Sequence, residues 1–522
     1  MSSAKFDDAL AWTGRLCGGL RGDIRRRLPH YGSDFRDGLS SKVVGSTLFL
    51  YFACLANAVA FGALTGLMTG GQIGTVEMIV ATAAGGIIFA LFAGQPLTLL
   101  GGTGPIVIFT GLLYTLCQQF GIPFLPTYAW VGLWSGLFMV ILAAIDASAL
   151  MRLFTRFTDE IFASLVAIIF IVEAVKSMVA PFAETPRDNA TALMTLVLAL
   201  GTFMLARILK LFMTTPYLRR RIREFLSDFG PAIAIAVMTA FALMMPDVEV
   251  AVPAIPEDFG TTTGRPWLVQ IFDAPTWVIF GAIGPALLVT VLLFLDQNIT
   301  TRLVNSPLHS LRKGPGYHLD LAIVGIITAI TSLFGLPWIV AATVHALNHV
   351  KSLATTETVD LGSSTRERIV SVQENRVSPL MIHVLIAGSI LMLPLIRLIP
   401  MEVLFGLFLY MGFATLNGTD LFERVRLWAT DPKLFPQTHY VRTVPRRIIH
   451  QFTMIQVGCL VALWVLKSSA LGILFPLLIA MLVPLRMFLP RWFETPHLEA
   501  LDADEDIDPR VDEDMIGGDF RP

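Results

Sequence analysis

Two short stretches carry the residue types an ion would need. Thr103, Gly104 and Pro105 open one brief apolar segment, and Ala341, Ala342 and Thr343 open another, one in each half of the chain. The interruption from Gly101 to Pro105 has its counterpart in Gly335 to Pro337. Such a pair of Gly/Pro-broken segments points to an inverted-repeat transporter whose site lies between two half-helix N-termini. The plain alternative is that Gly and Pro are simply common in membrane helices. A helix N-terminus presents unpaired N–H groups and about half a positive charge, so two facing each other bind a small anion without lysine or arginine. Gly104 lets the backbone approach a ligand, Pro105 at the first helical position sacrifices no needed donor, and Thr343 adds a hydroxyl.

Asp296 is the most informative single residue. It closes the apolar run from Ala274 to Leu295, and an ionisable group within a span costs roughly 2.5–3.5 kcal/mol on insertion scales, so it usually faces a cavity and works. Thr300 follows four residues later, on the same helix face. A carboxylate, hydroxyls and freed carbonyls are the hard oxygen ligands of a small cation, so Asp296, Thr300, Ala342 and Thr343 form the candidate cation site. The competing reading has Asp296 only marking the end of its span, since Arg302 follows. His345 lies just past Thr343 and either adds a titratable charge to the anion site or sits neutral between helices. Glu173 and Lys176, one turn apart, read as a structural pair, and Lys467, between two apolar runs, as a snorkelling side chain.

The elements that must position these residues follow from composition. Of 522 residues 54% are hydrophobic and 15% charged, against roughly 25% charged in soluble proteins, and the mean hydropathy is +0.68. Between Val43 and Ala144 the only charged side chain is Glu77. A soluble fold is excluded, and an all-α polytopic membrane protein is expected. Runs near 20 residues give about fourteen spans. The clear ones start near Val43, Thr127, Asp159, Thr191, Pro231, Ala274, Leu319, Pro379, Phe452 and Ala470; short or interrupted ones start near Thr75, Thr103, Ala342 and Met401. Lys and Arg cluster on every second connection, whereas the stretch from Pro246 to Pro275 is acidic. That alternation puts both termini in the cytoplasm. The expected parts are a basic N-terminal segment (1–42), a transporter domain (43–490) and an acidic tail (491–522). From Glu494 onward acidic residues greatly outnumber Arg510 and Arg521, so the net charge of −2 hides a cationic membrane body. The four cysteines suggest no disulfide or metal framework, and no nucleotide loop or metal-ligand spacing supports an enzyme or a resident cofactor.

From about Phe35 to Asp506 the chain resembles the membrane domain of the anion-exchanger/bicarbonate-transporter superfamily. The strings IFALFAGQPLTLLGGTGPIVIF, IDASALMRLFTRFTDEIF, GPALLVTVLLFLDQNIT, KGPGYHLDL, FGLPWIVAATV, IPMEVLFGLFLYMG and ALWVLKSS carry the resemblance. It implies a seven-plus-seven inverted repeat with core and gate domains, a homodimer, and half-helices at the third and tenth spans, here the segments beginning at Thr103 and Ala342. Band-three-like exchangers typically have Glu at Asp296 and Arg at His345. DQNIT from Asp296 to Thr300, VAAT from Val340 to Thr343 and IDAS from Ile145 to Ser148 are closer to the sodium-coupled branch.

The expectation is therefore a plasma- or inner-membrane secondary transporter of bicarbonate or carbonate, coupled to sodium. The alternatives are sodium-independent chloride/bicarbonate exchange and proton-linked borate efflux, the latter because His345 departs from both patterns and Thr110 replaces a common acidic residue. A scaffold that transports nothing and binds a partner through its tail is the alternative of another class. The resemblance also implies stilbene disulfonate reactivity at Lys467, and a carbonic anhydrase contact at the string LDADED, Leu501 to Asp506, against the simpler reading of a solvated acidic tail. No nucleic-acid partner is expected.

Overall fold

The computed structural model describes residues 9–183, 188–256, 259–360, 365–431, 434–436, 438–469 and 471–503. Each expected span start falls within or beside a helix, except that Ala470 lies outside the described residues. Among the described residues nine helices are long and apolar enough to cross a membrane, or up to eleven if each of two sharply bent pairs is one span; Gly104–Phe120 and Tyr317–Leu333 are shorter apolar helices. The segment at Thr75, expected to be short or interrupted, is a continuous helix of 18 residues, Thr75–Phe92. Its glycines serve packing: a Cβ at Gly86 would lie 1.9 Å from the ring of His383, so the absent side chain admits a neighbour rather than breaking the helix.

The chain divides into two compact units, Met1–Met151 with Phe170–Met411, and Arg152–Ile169 with Gly412–Pro522. In the first, the helices Phe124–Ala144 and Tyr317–Leu333 meet backbone to backbone. A Cβ at Gly136 would stand 2.6 Å from the Gly325 carbonyl oxygen, and one at Gly325 would stand 2.9 Å from that of Gly136. Small residues at this crossing allow the close approach on which membrane helix association depends. Helix starts are capped locally: the Ser40 hydroxyl accepts from Val43 N at the head of Ser41–Met68, and Glu77 reaches back to Gly74 N at 2.9 Å.

The basic N-terminal segment is built into this unit from residue 9 onward. Asp34 is fully buried and receives Arg27 at 3.1 Å, Arg376 at 3.1 Å and Lys313 at 2.8 Å, while Arg27 also reaches Glu374 at 3.3 Å. Asp23 accepts from His318 N at 2.7 Å and Leu319 N at 3.1 Å, capping Tyr317–Leu333. A hairpin that hydropathy did not anticipate follows the second short segment, with the strand Ala354–Asp360 antiparallel to the strand Thr365–Val372. Its β-branched alternation, TTETV and RIVSV, is the signal that was available.

In the second unit Glu160 accepts from Asp420 N at 3.0 Å and from Arg424 at 3.3 Å, so it caps the helix Asp420–Arg426. The terminal described helix, Thr495–Asp502, is docked through Leu498 and Leu501, which are buried. Asp502 accepts from Phe157 N at 3.0 Å and pairs with Arg486 at 2.5 Å. The tail beyond residue 503 lies outside the described residues.

A candidate ion site between two half-helices

Two very short strands organise the site. β1 (Leu100–Gly101) pairs antiparallel with β2 (Val340–Ala341), Leu100 opposite Ala341 and Gly101 opposite Val340, and Ala342 N extends the ladder to Leu99 O at 2.9 Å. Each strand leads directly into a half-helix, Gly104–Phe120 from β1 and Thr343–Leu353 from β2. The antiparallel crossing therefore sets the two N-termini side by side within one unit. Both N-caps, Thr103 and Ala342, have extended backbone and neither caps its helix with a side chain. The first-turn N–H groups thus keep their capacity for an anion, and the two macrodipoles add.

Asp296 faces this crossing. It lies inside the helix Ile283–Val304, two turns before its end, and is 7% exposed. The reading in which it only marks the end of a span does not fit this position. The Thr103 hydroxyl donates to Asp296 Oδ2 at 2.7 Å. One turn further, the hydroxyls of Thr300 and Thr343 share a hydrogen bond of 2.6 Å, and Thr300 also donates to Ala341 O at 3.4 Å. Thr103, Asp296, Thr300, Ala341, Ala342 and Thr343 are therefore brought together, with Gly104 and Pro105 buried in the first turn of their helix. One carboxylate with hydroxyls and a carbonyl is a donor set of low charge. It suits a monovalent hard cation better than a divalent one. Among the described residues no cluster of three His, Cys, Asp or Glu side chains could hold a metal ion.

His345 goes elsewhere: its Nε2 meets the Ala53 carbonyl at 3.2 Å on the helix Ser41–Met68. That contact matches the interhelical alternative rather than the ligand role. Lys467 stands 5.1 Å from the Trp464 ring centroid, a cation–π contact. Glu173 and Lys176 form an ion pair at 3.5 Å. Thr110 donates back to Ile106 O at 2.9 Å within its own helix. Of LDADED, Leu501 and Asp502 belong to the docked helix and Asp504 to Asp506 lie outside the described residues.

Sequence reasoning passed over the groups that hold the crossing together. Gln297 accepts from Ala341 N at 3.2 Å, Asn57 donates to Gly102 O at 3.1 Å, and His383 Nε2 faces Leu100 O at 3.4 Å. All three are buried. The signal for one was present, since Asp296, Gln297 and Asn298 make a polar triplet inside an apolar helix.

Discontinuous half-helices around one buried carboxylate are an arrangement recurrent in transporter folds. Solved structures share the fold: the transmembrane domain of the cyanobacterium bicarbonate transporter BicA, with TM-score 0.57 and 15% identity over 81% of this chain and 98% of that one, and murine Slc26a9 in the inward-facing state, with TM-score 0.56 and 12% identity over 86% and 68%. The chain belongs to the family of the HCO3- transporter integral membrane domain, whose profile matches residues 15–190 and 183–506. It is 37% identical to Band 3 anion transport protein of Homo sapiens over 523 residues, 96% of this chain, and 38% identical to Anion exchange protein 3 of Mus musculus over 547 residues, 97% of this chain. It spans 57% of the first relative's length and 44% of the second's. The family and its fold neighbours are transporters, not enzymes.

Proposed function

We propose that this chain moves bicarbonate or carbonate by secondary transport, with sodium as the coupling ion. The observation that carries the reading is Asp296, buried against the Thr103 hydroxyl at the paired half-helix N-termini. Its hydrogen-bond partner there, the Thr103 hydroxyl, is neutral and brings no compensating charge. A carboxylate beside an anion site leaves excess negative charge once the anion arrives, and a bound sodium neutralises it. Asp296, Thr300, Thr343 and the Ala342 backbone would hold the sodium, and the N–H groups around Thr103, Gly104 and Thr343 would hold the anion. Binding of the two is then mutually dependent. The protein would work as a homodimer in the plasma or inner membrane, its termini cytoplasmic, by elevator-like movement of the half-helix domain. Lys467 would be the stilbene-reactive lysine, and carbonic anhydrase would be the partner of LDADED.

Sodium-free reconstitution tests this proposal, with external choline replacing sodium. Retention of full bicarbonate flux removes the coupling. The second reading is sodium-independent chloride/bicarbonate exchange, favoured by the 37% identity to Band 3. Chloride self-exchange in the same liposomes distinguishes the two, and boron efflux identifies the proton-linked borate alternative.

A further inference from the structure

A groove of about 510 Å³ lies where the helix Gly230–Leu243 ends and Met401–Asn417 begins. Its size falls in the range of small-molecule sites, roughly 300–1,000 Å³. One wall is the stretch from Asp247 to Val252, a turn closed by Val248 N on Met245 O at 3.2 Å and then irregular backbone, in which acidic and apolar residues alternate. Val248, Val250 and Val252 line the groove, and Asp247 and Glu249 do not. The stretch is fixed in place: Met401 N donates to Ala251 O at 2.8 Å, Ala251 N to Glu402 Oε1 at 3.1 Å, and the Thr191 hydroxyl to Glu249 O at 3.1 Å. The opposite wall comes from the connection after Val377–Gly388, with Pro394, Leu398 and Arg397. Arg397 is the one charged residue among those lining the groove, and it is one of the isolated cations on the cation-poor set of connections.

An apolar slot with a single exposed guanidinium at its rim, at the level where two membrane helices end, matches an acyl chain below a phosphate. We infer that this groove is a phospholipid site of the leaflet faced by the Pro246 to Pro275 connection, the phosphate on Arg397 and one acyl chain along Val248, Val250 and Val252. The occupant bridges the end of Gly230–Leu243 and the linker before Met401. Lipid identity would thereby bear on the linker.

The test is native mass spectrometry of the full chain, delipidated in detergent and titrated with dioleoyl phosphatidylglycerol or with dioleoylglycerol, which lacks the phosphate. Wild type should retain one phosphatidylglycerol at concentrations where dioleoylglycerol is not retained, and R397Q should bind it roughly tenfold more weakly. V250W, which fills the slot, should lose it while keeping the wild-type oligomeric state. A diazirine-bearing acyl chain should crosslink within 242–252 and 394–400, a readout that needs no variant to fold. Equal retention of the two lipids, an unchanged R397Q, crosslinks elsewhere, or a change of oligomeric state in V250W would each overturn the proposal, the last by making the groove a contact between copies.

Discussion

The hydroxyl of Thr103 donates to Asp296 Oδ2 at 2.7 Å, joining residues 193 positions apart in the sequence. The N-cap of a half-helix is thereby spent on the buried carboxylate of another helix instead of on its own first turn. A cation arriving at Asp296 and an anion arriving at the first turn thus act on one connected set of atoms.

Removal of that hydroxyl with the shape retained, Thr103→Val, should raise the half-saturating sodium concentration roughly tenfold or more, since a hydrogen bond to a charged group is worth about 1.5–3 kcal/mol. Thr300→Val should act in the same direction through the loss of its contact with Thr343. Sodium titration of bicarbonate uptake measures both. Unaltered sodium dependence in the two variants would detach these hydroxyls from the cation.

Asp34→Asn should destabilise the fold without touching the ion site. Asp34 is the shared acceptor of Arg27, Arg376 and Lys313, and breaking a buried pair by removing one partner costs about 3–5 kcal/mol. Thermal unfolding in detergent should show a clear fall in midpoint, while the sodium half-saturation of the surviving fraction stays at the wild-type value. A wild-type midpoint would show that the N-terminal segment is only loosely attached.

Asp23 gives a pH signature of opposite sign to an ordinary salt-bridged aspartate. Burial pushes its carboxyl up to about 6, with Arg26 and the backbone donors of Leu319 and His318 offsetting only part of the effect. The folded state then holds the proton more tightly than the unfolded one, whose value is near 3.8. Its stabilisation is complete below the unfolded value and is lost as pH rises through the folded one. Hydrogen exchange in Gly18–Arg27 should therefore speed up, beyond its intrinsic pH dependence, between about pH 4 and 6, and Asp23→Asn should flatten that added change. The same slope in wild type and variant would assign the effect to another group.

Asp502→Ala should release the helix Thr495–Asp502, because it removes both the Arg486 pair and the acceptor for Phe157 N. The expected cost is about 1–3 kcal/mol. Limited proteolysis should cut the variant between Phe493 and Ala503 well before wild type. Equal protection would mean that Leu498 and Leu501 suffice.

Much of this architecture was legible because long apolar runs write helices directly into the sequence. The half-helices were visible from Gly and Pro at Gly101 to Pro105 and Gly335 to Pro337, and Asp296 from charge scarcity. The crossing of β1 with β2 was not, since two-residue strands have no period to detect and their pairing spans about 240 positions of chain. His345 was ambiguous for the same reason: proximity to Thr343 suggested the site, but its partner Ala53 lies on a distant helix. Asp502 read as part of a solvated acidic tail because a docked helical turn and a run of solvated acids have the same composition. Gln297 and Asn57 bind backbone atoms, and such contacts depend on tertiary placement rather than on pattern.

The proposed mechanism turns on sodium at Asp296 enabling anion transport. Its sharpest test is bicarbonate-driven alkalinisation of liposomes containing the purified chain, compared in sodium and in choline for wild type and Asp296→Asn. Coupling through Asp296 predicts sodium-dependent alkalinisation in wild type and none above empty liposomes in Asp296→Asn, with that variant still eluting as wild type. Equal rates in sodium and choline, or a fully active Asp296→Asn, would contradict it.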